Sequence, residues 1–245
     1  MTSNIYDDEN FFKGYSQLDR SVKGLDGAPE WETMRSMLPD LNGADLLDLG
    51  CGFGWFCRFA RQSGAASVHG IDVSEKMLSR AKADTKDAGI AYFKTDLESV
   101  ELRPNRYDAA YSSLVFHYIA DLRGLLAKIY ASLKPEGRLV CSVEHPIYTA
   151  SAAPQWIRHP AGFRTWPVDG YQREEARTTN WLAEGFTKQH RTFGTYINLL
   201  VGTGFTIERV VDWAPSAGQL AEHPEWEEEL DRPMFLLMSA RRLSD

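Results

Sequence analysis

Leu46-Leu47-Asp48-Leu49-Gly50-Cys51-Gly52-Phe53-Gly54, followed at once by a helical pattern from Trp55, is the stretch that decides the fold. Residues of buried-strand character run into glycines, and glycine, lacking a Cβ, lets a backbone turn sharply and approach a ligand. The helix start behind it adds free N–H groups and a partial positive charge, which together make a nucleotide- or carboxylate-binding corner. An ordinary tight turn or a different nucleotide site would share the same residues. The dinucleotide fingerprint G-x-G-x-x-G counted from Gly50 needs a glycine where Trp55 stands, which weakens that reading.

Outward from the turn, strand and helix patterns alternate. Residues 45–49 form a first strand and 55–62 a helix. Residues 67–71 form a short strand ending at Asp72, and Ser74 caps a helix carrying Met77, Leu78 and Ala81 on one face. Residues 90–93 are a third strand closed by Thr95-Asp96, and 107–111 a fourth followed by Ser112-Ser113. Asp121 caps a helix whose Leu122, Leu125, Leu126, Ile129 and Leu133 make an apolar stripe; Lys134-Pro135-Glu136-Gly137 is a turn, and 138–143 a fifth strand. This alternation calls for a parallel sheet covered by helices on both faces.

Upstream, residues 8–40 read as two helices. One carries Phe11, Phe12, Tyr15 and Leu18; the other opens at Ala28-Pro29-Glu30-Trp31 with proline at its first position and is ended by Pro39. Downstream, a helix around Phe193–Val201 precedes strands over 205–213 and 234–240. An acidic segment without a strong crossover helix joins them, so an antiparallel hairpin at the sheet edge is predicted. The expectation is one α/β domain of seven strands: a helical cap over 1–43, a ligand-binding core over 44–144, an insertion over 145–190, and a helix with a strand hairpin over 191–245. From Glu144 to about Lys188 the pattern is irregular, with four prolines and Tyr148, Trp156, Phe163, Trp166, Tyr171, Trp181 and Phe186. So long a loop inside a compact domain suggests a lid. A dimer surface, or side chains folded onto the core, are the alternatives.

Acidic residues number 34 against 27 basic ones, for a net charge of −7 with no basic cluster, which argues against nucleic acid as a partner. No apolar run approaches the ~20 residues that span a bilayer, so no membrane partner is expected. The acidic opening Met1–Glu9 lacks the apolar segment of a signal peptide. Cys51, Cys57 and Cys141 are odd in number and show no C-x-x-C spacing, which suits free thiols in a reducing, cytoplasmic compartment.

Asp48 to Gly54 after a strand, Asp72 ending the second strand, Asp96 in Lys94-Thr95-Asp96-Leu97, Tyr107–Ser113 and Leu133–Leu139 together resemble the class I S-adenosylmethionine-dependent methyltransferases. The likeness is to the small-molecule, type 11-like branch, strong over 44–144 and looser beyond. It implies a Rossmann-like fold, S-adenosyl-L-methionine as cofactor, and transfer of its methyl group to an O-, N- or C-nucleophile of a small-molecule acceptor. It also implies site residues. The methionyl end would lie by Asp48, Gly50, Cys51 and Gly52, with Ser113 on the reaction side. Asp72 would accept both ribose hydroxyls. Adenine would sit between Val73 and Leu97 near Asp96, with Met77 beside it, although Val73, Met77 and Leu97 equally suit plain core packing. Tyr15 and Arg20 would close over the methionine end, unless Arg20 simply faces water.

Transfer at a sulfonium needs mainly positioning and exclusion of water, and a base only if the acceptor arrives protonated. His117, His145 and His190 come from three places that converge on one rim, and an ordinary pKa of ~6.5 suits proton removal. Each equally suits a helix cap or a bond to a backbone carbonyl. Glu144, Arg191 and Tyr196 are lesser candidates. The histidines lack metal-ligand spacing, so no metal is expected. If the aromatic stretch is a lid, the acceptor is aromatic or apolar; if it is an interface, the partner is a second copy in a homodimer. A non-catalytic S-adenosylmethionine- or S-adenosylhomocysteine-binding protein, or a nucleotide-dependent oxidoreductase, are the alternative functions.

Overall fold

The computed structural model describes residues 4–244 other than 152 and 182, with backbone alone at 179–181, 183, 184 and 186. Three short helices, α1 (Glu9–Tyr15), α2 (Asp19–Val22) and α3 (Trp31–Met37), precede the sheet. The region 8–40 is thus more broken than the two helices expected. Pro29 lies ahead of α3 and not in its first turn, and the helix stops at Met37 because Leu38, preceding Pro39, is held extended.

The core then alternates as the sequence pattern predicts: β1 (Asp45–Leu49), α4 (Trp55–Gln62), β2 (Ser67–Asp72), α5 (Glu75–Ala83), β3 (Ile90–Lys94), β4 (Tyr107–Ser113), α6 (Leu122–Ser132) and β5 (Leu133–Glu144). Ser74 and Asp121 cap α5 and α6, accepting hydrogen bonds from the N–H groups of Met77 (3.1 Å) and Gly124 (2.9 Å). Lys134–Gly137 turns inside β5 as a bulge against β4, with Glu136 at φ 66°.

The insertion is not the structureless loop its composition suggests. It holds α7 (Pro146–Ala150) and two small antiparallel pairs, β6 (Ile157–Arg158) with β7 (Arg164–Thr165), and β8 (Ala176–Trp181) with β9 (Ala183–Gln189). After it come α8 (Phe193–Thr203), β10 (Phe205–Asp212), α9 (Ala217–Glu222) and β11 (Phe235–Arg242).

The seven-stranded sheet runs β3-β2-β1-β4-β5-β11-β10. Neighbours from β3 to β5 are parallel, and β11 is antiparallel to both β5 and β10. The last strand is therefore slotted between β5 and the penultimate strand. Alternate residues feed two layers: Leu47, Leu49, Ala110, Leu139 and Leu236 face α6 and α8, while Leu46, Ala109, Val140 and Leu237 face α3 and α4. Each fully buried Leu or Phe contributes ~1.5–3 kcal/mol, so both layers hold the sheet rigid. The order in which strands are added reverses between β1 and β4, and ligands of open α/β sheets bind in the crevice at the strand ends there.

Candidate active site

Three glycines after β1 have left-handed backbones: Gly50 at φ 77°, Gly52 at 51° and Gly54 at 72°. Gly50 lies against the loop after β4, where a Cβ would stand 2.2 Å from the Val115 side chain. At Gly52 a Cβ would meet nothing within 4 Å, so this residue borders open space. Beneath the turn Asp48 is buried and accepts the Cys57 thiol proton at 3.2 Å; burial pushes its carboxyl up to about 7. Cys51 is packed in the core beside Cys57. Neither Asp48 nor Cys51 reaches the cavity; they shape the turn from below.

The turn's amides mostly bind within the protein. Gly50 and Cys51 N–H donate to the Ile71 carbonyl, and Gly52 N–H donates to Asp72 Oδ2 at 2.9 Å. Ser74 N–H holds Asp72 Oδ1 at 2.8 Å. Two backbone donors thus fix this carboxylate at the end of β2, and each oxygen retains acceptor capacity. Burial nevertheless raises its pKa above the usual carboxylate range.

Gly50, Gly52 and Asp72 line one end of a cavity of about 860 Å³, together with Val73, Met77, Asp96 and Leu97. Asp96 accepts the Glu98 N–H in a local turn. Tyr15, Arg20 and Ser113 also line it. Arg20 does not face water: it pairs with buried Glu30 at 3.1 Å, and Ser113 Oγ donates to the same carboxylate at 3.5 Å. The segment before α1 covers this end. Asp7 accepts from Ser74 Oγ (2.6 Å) and Lys76 N–H (3.1 Å), while the Tyr6 ring packs edge-on against Tyr15, with centroids 5.3 Å apart.

The histidines are buried, and each has its Nδ1 lone pair occupied. His117 accepts the Glu144 N–H at 3.3 Å, which leaves its proton on Nε2, and burial drives its pKa well down. His190 accepts from Thr149 Oγ1 at 2.8 Å and donates Nε2–H to the Tyr171 carbonyl at 2.9 Å. His145 caps α7 by accepting the Ile147 N–H, and its Nε2 bonds Asp212 at 2.8 Å. His117 and His190 line the cavity, but His145 does not. The expected rim of three histidines is therefore reduced to two, neither with a free lone pair.

The rest of the cavity wall includes Glu144, a lesser candidate of the sequence reading, and Tyr148 of its aromatic stretch, but comes mostly from places that reading did not single out. Glu144 ends β5 and forms a buried ion pair with Lys188 from β9. Leu114, in a left-handed conformation at φ 57°, turns the chain after β4 into the wall. Among the insertion's aromatics only Tyr148 is a described part of the lining. Trp156 and Trp166 stack around Arg232, Phe163 is exposed, and Tyr171 braces α8 through its hydroxyl. The side chains of Trp181 and Phe186 lie outside the described residues. Aromatic rings instead enter from Tyr118 and from Trp213, Trp226 and Phe235 around the β10–β11 connection. Glu30 and Trp213 carry no local pattern; only the long-range packing marks them.

Among the described residues no cluster of His, Cys, Asp or Glu is placed to hold a metal ion, and no helix is long and apolar enough to cross a membrane. Chemically, the arrangement can enclose a large ligand, meet a ribose-like diol with a fixed carboxylate, and exclude water.

Residues 47–141 match a family model described as a methyltransferase domain. A crystal structure of an S-adenosylmethionine-dependent methyltransferase from Mesorhizobium loti is 52% identical, covers 89% of this chain and 100% of its own, and superposes with a TM-score of 0.87. A Listeria monocytogenes structure, a candidate enzyme of the same description, is 41% identical over 89% of this chain and 99% of its own, with a TM-score of 0.81. An uncharacterized protein of Haemophilus influenzae is 35% identical over 98% of this chain and 97% of its own length.

Proposed function

This chain belongs to the class I S-adenosylmethionine-dependent methyltransferase family, with S-adenosylmethionine as its cofactor, and we propose that it transfers the methyl group to a small-molecule acceptor bound in the same cavity. One observation carries the reading: a single continuous cavity of about 860 Å³ extends from Gly50, Gly52 and Asp72 to Trp213, Trp226 and Tyr148. That size lies near the top of the ~300–1,000 Å³ range of ligand clefts, and so accommodates a cofactor and a modest acceptor together.

The residues present fit the cofactor. Open space over Gly52 leaves room for the methionyl end, Asp72 offers acceptors for ribose hydroxyls, and Val73, Met77 and Leu97 give apolar walls for adenine beside Asp96. Arg20, held by Glu30, and Tyr15 border that end. The cofactor supplies an activated methyl on a sulfonium with a neutral thioether as leaving group, so the protein's task is alignment. Orienting two reactants can supply ~7–11 kcal/mol of the barrier. We assign the histidines to positioning and not to proton abstraction. His117 offers an Nε2–H donor to the cavity, His190 ties α7 to the insertion, and His145 ties α7 to the end of β10.

Calorimetry with S-adenosylhomocysteine tests the site. Asp72→Ala is expected to weaken binding by about 10- to 100-fold, the loss of hydrogen bonds to a charged group. Unchanged affinity would refute the ribose assignment. An acceptor screen that follows S-adenosylhomocysteine release tests turnover; failure of every acceptor class to yield S-adenosylhomocysteine would favour a non-catalytic binder.

A further inference from the structure

Of the carboxylates in the cavity wall, Asp72 and Asp96 belong to the cofactor end, Asp19 pairs with Lys23, and Glu229 is closed against Arg232. Glu144 differs. Its Oε1 is held by the Lys188 ammonium, while Oε2 makes no hydrogen bond among the described residues. That oxygen is not sealed in the core, because the Glu144 side chain keeps 14% of its surface and lines the cavity. An open carboxylate oxygen in a cavity wall accepts a hydrogen bond and offers a place for a proton.

The sheet sets this position. Ser142 lies in register with Ser113, a cavity residue at the end of β4, and Glu144 is the next residue on the same face of β5. The Glu144 N–H donates to His117 Nδ1 at 3.3 Å, which ties the end of β5 to the loop after β4. Burial raises the pKa of Tyr6, and the charges of Tyr15, Asp72 and Glu144 add to it, so this ring lies within electrostatic reach of Asp72 and Glu144 alike. Glu144 thus borders the passage from the cofactor end to the rest of the cavity.

The neighbouring polar groups are donors or already engaged. Burial keeps Tyr118 and Tyr148 as neutral phenols, His117 carries its proton on Nε2, and both ring nitrogens of His190 are bonded. Lys188 balances the Glu144 charge, so the wall there calls for a neutral group on the ligand. A hydroxyl suits it, donating to Glu144 Oε2 and accepting from the His117 Nε2–H. A neutral amine attacks through a lone pair it already carries and needs no base, whereas a hydroxyl is a poor nucleophile until its proton leaves.

We propose that Glu144 is the catalytic base for a hydroxyl group of the acceptor, so that the accepting atom is oxygen; this rests on the methyltransferase reading. As the hydroxyl oxygen bonds to the methyl carbon, the carbon–sulfur bond breaks with its electron pair left on sulfur. The hydroxyl proton passes to Glu144 Oε2, which returns it to water once the product leaves.

Calorimetry on the full chain saturated with S-adenosylhomocysteine compares 2-naphthol with its methyl ether, which has the same rings and no proton to give. The naphthol is expected to bind about tenfold more tightly. In Glu144→Gln the amide oxygen can serve Lys188 and leave the NH2 facing the cavity, so the preference should vanish while S-adenosylhomocysteine affinity holds. In the acceptor screen, hydroxyl compounds are expected to yield S-adenosylhomocysteine, and E144Q to lower kcat by about 100-fold or more with KM for S-adenosylmethionine little changed. No naphthol binding, equal binding of naphthol and ether, a preference that survives in E144Q, or turnover on amines with none on hydroxyl compounds would each overturn the proposal. The wild-type comparison decides by itself if E144Q folds poorly. S-Adenosylhomocysteine affinity is read on the same samples, so lost cofactor binding counts against the methyltransferase reading, and a missing naphthol preference against Glu144 alone.

Discussion

Gly50 and Gly52 share a left-handed backbone yet answer to different neighbours. Alanine at 50 adds a Cβ 2.2 Å from Val115 to the φ strain, and should destabilise the fold by about 2 kcal/mol or more, seen as a lowered melting temperature. Alanine at 52 meets no protein atom, so only the ~1–2 kcal/mol left-handed strain is expected in stability. Its methyl occupies cavity space, however, and S-adenosylhomocysteine affinity should fall by about tenfold or more. Retained affinity in Gly52→Ala would show that the cofactor does not approach this turn. Asp48 gives a pH signature. Its carboxyl titrates at about 7 in the fold against an ordinary 3.8, because burial disfavours the charge. A raised folded pKa means the contribution is fully present below 3.8 and is lost as pH rises through about 7. Relative to wild type, Asp48→Asn should therefore gain stability as pH rises across that window, checked by melting temperatures of both proteins. A constant difference would contradict the burial account.

At the scale of elements, the cover over the cofactor end is held by few contacts. Asp7 accepts from Ser74 Oγ and Lys76 N–H at the start of α5, and Asn4 reaches the Val73 carbonyl at 3.4 Å. Burial pushes the Asp7 carboxyl up, but hydrogen bonds from Ser74, Lys76 and Asn4 outweigh it and hold the pKa below its ordinary value. Asp7→Ala should leave α5 intact, since Ser74 still caps Met77, while hydrogen exchange quickens over residues 4–15. S-Adenosylhomocysteine should also dissociate faster. Unaltered exchange in that segment would mean that the aromatic contacts of Tyr6 alone hold it.

Across the whole molecule, the insertion and the β10–β11 connection form one roof, joined through Arg232. Its guanidinium binds Glu229 and stacks on Tyr148 and Trp166, while Arg164 reaches back to Asp231 at 3.3 Å. Breaking a buried pair of this kind costs ~3–5 kcal/mol, and the loss is local because the sheet lies elsewhere. Arg232→Ala is expected to open residues 153–175 to limited proteolysis. Cofactor affinity should persist, because Gly52 and Asp72 belong to the sheet edge. Simultaneous loss of cofactor binding would show that the roof and the core fold as one unit.

The sequence by itself determined the alternating core, the glycine turn and the acids at the ends of the second and third strands. Period-2 and period-3.6 patterns, caps at Ser74 and Asp121, and left-handed glycines are local properties, legible within a few residues. The antiparallel final pair was legible too, but not that β11 lies between β5 and β10, since strand neighbours are set by sheet-wide burial and not by sequence adjacency. Tertiary structure alone decided that Tyr148 joins the cavity while Trp156 and Trp166 stack on Arg232. It also decided that His145 caps α7, that Glu30 holds Arg20, and that Glu229 pairs with Arg232. Each of these outcomes depends on groups tens to hundreds of residues apart meeting in a low-dielectric interior, where a partner's presence or absence fixes a side chain's role.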